Sequence, residues 1–323
     1  MKKSAVSLVV LAAVVCCLAF ASTLSAADKY PSRPVTSIVG FGPGGISDMT
    51  MRIWNKYLEK YVGGTFVVDH KPGAGGVVAF NFVANSKPDG YTLLNHSDWF
   101  TPILNGTATY KLEDLKVVAQ VVLNGTVLAV APDAPWKTFA EFVDHCKKNP
   151  GVKWANNGAG TIAFFRTQNL NKQAGLKLTG VPMAGDAEII SALIGKHVQI
   201  GNLGAAAAKA QAEAGKLRII FSFDDPKGFG LDPSIPTMAS MFPKIDDIDT
   251  PVYLIAPAKT PDDVMNILQA GIEKMTKDPA FLKDEAGINQ MVKFVPGKTV
   301  MSRIPAKMNI VREIMKDMGL QPK

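Results

Sequence analysis

Two α/β lobes with mostly parallel sheets around a ligand cleft is the fold class the sequence predicts, and three observations carry it. Short β-branched runs alternate with helix-period segments along most of the chain, as strands joined by crossover helices do. Glycine-rich turns stand where strand-like runs give way to helix-like ones. The run "KVVAQVVLNGTVLAVAP" is unusually long for a strand, and its central Asn124-Gly125 suggests an extended segment passing from one lobe to the other.

Taken in order, residues 35–41 read as a strand and 47–62 as a helix, on which Met49, Ile53, Trp54, Tyr57, Leu58 and Tyr61 recur at helical spacing. Strand 65–70, helix 77–86 and strand 91–97 complete the first unit. Beyond the crossing, helices at 138–148, 162–173, 187–194 and 205–213 alternate with strands at 152–156, 178–183, 198–202 and 217–223. A proline-rich, acid-containing loop at 224–250 leads to strand 251–257 and two amphipathic helices, 261–276 and 300–318. Placing those helices back on the first lobe makes the chain cross twice. The expected division is a signal peptide at 1–27, lobe 1 at 28–124 and 251–323, and lobe 2 at 125–250.

The beginning of the chain has a basic start at Lys2-Lys3, an apolar run from Ala5 to Ala21, and small residues through Ser25 and Ala27. That is the layout of a secretory signal peptide cleaved near Ala27, so an exported product is expected. Cleavage removes Cys16 and Cys17, which leaves Cys146 alone and excludes an intramolecular disulfide. The formal net charge of +7 falls to +5, because Lys2 and Lys3 leave and no acid does. A mildly basic surface tolerates anionic ligands, and no basic cluster interleaved with aromatics points to nucleic acid.

Gly40, Gly42 and Gly45 spell G-x-G-x-x-G, the spacing of a pyrophosphate cradle, and Asp69 ends the next strand-like run. The details argue against a dinucleotide. Pro43 interrupts the loop, Asp48 would oppose a pyrophosphate at the helix start, and a second glycine loop follows the second strand. No cofactor is therefore expected. Asp48, with Ser47, can instead cap or charge-complement its helix. Ser47 lacks the second glycine of a nucleophile elbow, and His70, His96, His145 and His197 show no metal-like spacing, so surface histidines and no catalysis are the expectation.

The five glycine-rich junctions, "GPGGISD", "KPGAGG", "NNGAGT", "MAGD" and "GNLG", suggest different chemistry. Each leaves first-turn backbone amides uncovered at a helix start, where the helix dipole favours an anion. Open α/β sheets bind ligands at the carboxyl ends of their strands, so five such openings would form a neutral cage for a small carboxylate or phosphate.

The segments "YPSRPVTSIVGFGPGGISD", "VVDHKPGAGG" and "ANSKPDGYTLL" closely resemble the N-terminal signature of the solute-binding proteins of tripartite tricarboxylate transporters, the Bug or TctC family. The resemblance continues through "GVKWANNGAGT", "GVPMAGDAEIISALIGKHVQI" and "APAKTPDDVMNIL", covering nearly all of the chain beyond the signal segment. It implies two lobes of the periplasmic-binding-protein type (type II), closing over a small organic carboxylate for delivery to membrane transporter subunits. It also implies that the ligand is held through backbone amides and waters. Those roles fall on Phe41, Pro43, Gly44, Gly45, Ile46, Ser47 and Asp48, on Gly73, Ala74, Gly75 and Gly76, and on Ser97. In the second lobe the matching candidates are Gly160, Thr161, Phe164, Met183 and Asp186. Here the chain departs from the family pattern: Thr161 replaces a serine, Phe164 stands near a usual histidine, Met183 and Ala184 replace Tyr-Lys, and Gln199 replaces an acid. If those side chains face the cleft, the pocket is more apolar than in most members. A monomer is expected, either a transport receptor or a sensing subunit that presents its bound form to a membrane signalling receptor.

Overall fold

The computed structural model describes residues 30–158, 161–243 and 248–322, so the expected signal segment lies outside the described residues. The first part of the chain runs β1 (Val35–Val39), α1 (Ile46–Tyr61), β2 (Phe66–His70), a 3-10 turn at Ala74–Gly76, α2 (Val77–Ala84), β3 (Thr92–His96), α3 (Thr101–Leu104) and β4 (Leu115–Leu123). The chain then enters a second sheet with β5 (Thr126–Val130), α4 (Phe139–Lys148), β6 (Lys153–Asn156), α5 (Ile162–Ala174) and β7 (Thr179–Pro182). That unit continues through α6 (Asp186–Ile194), β8 (Ile200–Gly204), α7 (Ala205–Glu213) and β9 (Arg218–Ser222). After the short α8 (Met238–Met241), β10 (Pro251–Pro257) returns to the first sheet, followed by α9 (Asp262–Met275), α10 (Pro279–Gly287), β11 (Met291–Pro296) and α11 (Gly297–Asp317).

The six-stranded sheet has the order β11-β4-β10-β3-β1-β2, and the five-stranded sheet β7-β6-β8-β5-β9. Parallel ladders join β1 to β2 and β3, and β6 to β7 and β8, where helices make the crossovers. Antiparallel ladders form around the strands next to the crossings: β10 with β3 and β4, β11 with β4, and β5 with β8 and β9. The sheets are therefore mixed. β5 follows β4 after only Asn124 and Gly125, with no helix to turn the chain, so the crossing itself fixes its direction.

The two crossings are bonded to each other. The Asn124 amide donates to the Thr250 carbonyl at 2.9 Å, and the Thr250 hydroxyl donates back to the Asn124 carbonyl. Gly125 has no room for a side chain, because a Cβ there would stand 2.7 Å from the Phe229 ring and 2.8 Å from Ala205.

In the first lobe, α1 buries Met51, Trp54, Tyr57 and Leu58 and packs against α9, whose Leu268, Ile272 and Met275 are also buried. Each such side chain stabilises the fold by about 1.5–3 kcal/mol relative to exposure. Met49 is 40 % exposed, so the helical stripe runs through Met51 instead. On the other face, α11 covers β4 through Val300, Ile304 and Val311 and also reaches α5 of the second lobe, where Lys172 pairs with Asp317 at 2.7 Å. The last helix thus spans both lobes, beyond the first-lobe seat that its amphipathic pattern suggested.

Candidate functional site

Between the two sheets lies a cleft of about 760 Å³ lined from both sides. All five glycine-rich junctions reach it, through Phe41 and Ile46, Ala74 and Gly75, Asn157 and Thr161, Asp186, and Gly204 with Ala205 to Ala207. Among the described residues that line it there is no Lys or Arg.

The first-lobe wall is built on two loops. Gly44 has φ +81, and its amide donates to Asp48 Oδ2 at 3.0 Å. Arg52 Nε donates to the same oxygen at 3.0 Å, and His70 Nε2 lies 2.8 Å from Oδ1. Burial alone would raise the Asp48 pKa, but Arg52, the Gly44 amide and His70 outweigh it and hold the carboxyl at about 2. Asp48 is therefore an anion supplied by the first turn of α1. It is bonded to the Gly44 amide in the loop, and the N-cap Gly45 makes no side-chain bond to the first-turn amides of α1.

The second loop takes four consecutive residues through positive φ: Gly73 (137°), Ala74 (48°), Gly75 (64°) and Gly76 (97°). Only glycine enters that region freely, so the sequence G-A-G-G follows from the path of the backbone, with Ala74 carrying the strain. Gly76 also yields space to His96, whose Nε2 would stand 2.2 Å from a Cβ at this position. Gly75, by contrast, has open space where its Cβ would be.

His96 is 8 % exposed, lines the cleft, stacks on Phe41 (centroids 5.3 Å apart) and meets the tilted ring of Phe80 (4.5 Å). Burial pushes its pKa down to about 4, so the ring is neutral at pH 7. The Asp98 amide donates to Nδ1 at 3.2 Å, which places the ring proton on Nε2, and the Gly75 backbone beside the ring partly offsets the effect of burial. Beside it, Asp98 Oδ1 accepts from the amides of Phe100 (3.2 Å) and Thr101 (3.0 Å). Burial raises the Asp98 carboxyl to about 6, against those bonds and the charge of Lys307, which lower it.

The second-lobe wall combines the starts of α5 and α7 with polar side chains. Thr161 caps α5 by accepting the Phe164 amide at 3.2 Å. Asp186 opens α6 and receives Asn157 Nδ2 on Oδ1 (2.9 Å) and the Gly204 amide on Oδ2 (3.2 Å). Behind this wall, Arg166 grips Asp224 with two parallel bonds of 2.9 and 3.0 Å, and Asp224 Oδ2 also accepts the Thr126 amide at 3.1 Å. Both side chains are buried, so the start of β5 is tied to the end of the β9 segment.

Of the residues singled out in the sequence, Phe41, Ile46, Ala74, Gly75, Ser97, Thr161 and Asp186 line the cleft. Pro43, Gly44, Gly45, Ser47, Asp48, Gly73 and Gly76 shape the two loops without lining it, and Gly160 lies outside the described residues. Phe164 turns inward and stacks on Trp154 with centroids 5.6 Å apart, while Met183 packs on the second-lobe core and Gln199 accepts the Lys153 amide. The extra apolarity expected from Phe164 and Met183 therefore belongs to the core. The expectation of surface histidines fails for His96, which is buried, and His70 has a partner in Asp48. Sequence reasoning missed His96, Asp98, Asn202 and Gln290 as cleft residues. The one available signal was that His96 and Asp98 flank the carboxyl end of a strand.

Two α/β lobes joined by paired crossings, with strand ends and helix starts turned into the gap, define a periplasmic-binding-protein fold. The model of the tripartite tricarboxylate transporter family receptor matches residues 50–320, and the chain belongs to that family. It is 30% identical over 310 residues to a UPF0065 protein of Bordetella pertussis, covering 94% of this chain and 95% of the relative. A TctC solute-binding protein from Polaromonas superposes with a TM-score of 0.78 at 25% identity, over 89% of this chain and 99% of the other. An R. palustris protein solved with adipate shares the fold, with a TM-score of 0.76 at 21% identity over 91% and 100% of the two chains. The protein is thus a solute receptor of a transporter family, a non-enzymatic class.

Proposed function

We propose that this receptor is exported, captures a small organic carboxylate between its lobes and delivers it to the membrane subunits of a tripartite transporter. One observation carries the reading: five strand-to-helix junctions turn helix starts toward one cleft whose described lining contains no Lys or Arg. A carboxylate there is bound by backbone amides and helix dipoles, charge-assisted bonds that need no counter-ion. In this reading the first-turn amides of α1 and the Ala74–Gly76 turn receive the carboxylate, with Ser97 and the neutral Nε2–H of His96 beside them. The paired crossings at Asn124 and Thr250 act as the hinge, and the lobes close as 28–124 with 251–323 against 125–250. Relatives of the same fold support the choice of ligand class, since one was solved with adipate.

The test is a thermal-shift panel of mono-, di- and amino-carboxylates, followed by small-angle scattering at saturation. A ligand present at about 100 times its Kd adds about 2.7 kcal/mol. The expected outcome is stabilisation by at least one carboxylate, with a smaller radius of gyration. Stabilisation by neutral solutes alone would refute the reading.

A further inference from the structure

One corner of the cleft is rich in acceptors. The first-lobe wall carries helix-start amides and His96, with the Asp98 carboxyl and Gln290 Oε1 beside them. The second-lobe wall carries the starts of α5 and α7 and, between them, acceptors whose orientation is fixed by their neighbours. A carboxylate only accepts, so Asn157 must turn Nδ2 toward Asp186, and its Oδ1 is left without a partner. Asn202 is pinned in the same way. Its Nδ2 donates to the Ala163 carbonyl at 3.1 Å and to Thr167 Oγ1 at 2.6 Å, while its Oδ1 has no partner although the residue is only 1 % exposed. Asn157, Asp186 and Asn202 all line the cleft. Buried acceptors are seldom left unmatched, which makes a donor from outside the protein, a water or a ligand group that displaces it, the natural complement.

The place a second anion would take in this wall is already filled. Asp186 supplies negative charge to the first turn of its own helix α6 and, through the Gly204 amide, to the start of α7. A second ligand carboxylate here would face Asp186 with no described Lys or Arg in the lining to offset the repulsion.

We propose that the solute is an amino carboxylate, anionic at one end and protonated at the other, with its ammonium seated on Asp186 and the free oxygens of Asn157 and Asn202. The proposal rests on the carboxylate reading of the first wall and adds the opposite end of the ligand. An ammonium has three donors, enough for one carboxylate oxygen and two amide oxygens.

Calorimetry on three matched series tests it: γ-aminobutyrate, δ-aminovalerate and ε-aminocaproate; glutarate, adipate and pimelate, which carry a carboxylate in place of the ammonium; and butyrate, valerate and caproate. The best amino carboxylate should bind at least about tenfold more tightly than its matched dicarboxylate. Asp186→Asn should weaken the amino carboxylates by about tenfold, strengthen the dicarboxylates, and change the plain monocarboxylates by less than about threefold. A misfolded variant cannot produce changes of opposite sign. If a dicarboxylate binds as tightly as its amino partner, or if Asp186→Asn weakens all three series alike, the ammonium end is refuted while the carboxylate reading stands. If no member of any series binds at millimolar concentration, both fall.

Discussion

The Ala74–Gly76 turn in the first-lobe wall of the cleft presents backbone, whereas the corner of Asn157, Asp186 and Asn202 in the second-lobe wall presents side chains, and the two are recorded in the sequence differently. Backbone that must pass through four positive φ values in a row demands glycine, so the Gly73–Gly76 turn is visible as a motif. A wall of Asp186, Asn157 and Asn202 makes no such demand. Its groups come from α6, the segment after β6, and β8, and each of them alone is an ordinary polar residue. A backbone cage suits the one group that every carboxylate has, whereas a side-chain wall can be changed residue by residue to suit the remainder of a ligand.

The largest effect should come from breaking the frame of the side-chain wall. Asp224→Ala removes the buried carboxylate that Arg166 grips and the acceptor of the Thr126 amide, and should lower unfolding stability in urea by about 2–4 kcal/mol, since Arg166 keeps its bond to the Phe223 carbonyl. A loss below about 1 kcal/mol would mean that the second lobe does not depend on this pair.

Next come two neighbouring glycines in the backbone wall. Gly76→Ala forces a Cβ into His96 at φ +97 and should cost about 2–3 kcal/mol of stability. Gly75→Ala meets no atom and should cost only about 1 kcal/mol, yet it places a methyl in the cleft and should weaken carboxylate binding by about tenfold. Equal loss of stability in both variants would sink the distinction between a packed and an open glycine.

A smaller effect separates the walls by pH. The folded pKa of Asp98, about 6, lies above its ordinary 3.8, so the folded protein holds this proton more tightly than the unfolded chain. The contribution of Asp98 to stability is therefore fullest below about pH 4 and declines as pH rises to about 6. Carboxylate affinity should fall over the upper part of the same window, by about 1 kcal/mol or roughly fivefold, as a negative charge forms in the cleft. Asp98→Asn keeps an oxygen for the Phe100 and Thr101 amides and should abolish that titration in calorimetry.

The least effect is expected from Lys71, the cation next to the glycine turn, which pairs with Asp69 at 2.8 Å and does not line the cleft. Lys71→Met should change affinity by less than about 0.5 kcal/mol at fixed ionic strength. A tenfold loss would show that an ion pair anchors the ligand after all.

Much of the fold was legible because periodicity and punctuation are local. The strand at 251–257, the helix at 205–213, the passage at Asn124-Gly125 and the five glycine junctions could each be read from a few neighbouring residues. α10 and β11 were missed, although Asp278-Pro279 carries an N-cap and N1 signal and the Asp278 side chain accepts the Ala280 amide at 2.9 Å. The span of α11 across both lobes was not legible, because an amphipathic stripe states that a face is buried and not what buries it.

By itself the sequence determined the alternation of strands and helices and the glycine turns at the helix starts, since backbone conformation restricts residue type at each position. Only the tertiary structure decided what those turns enclose. It set Asp48 behind the loop and out of the cleft lining, buried His96, turned Phe164 and Met183 into the core, and brought Asn157, Asp186 and Asn202 to one corner. The physical reason is that a side chain's role depends on which partners its neighbours in space leave free, and those neighbours are distant in the chain.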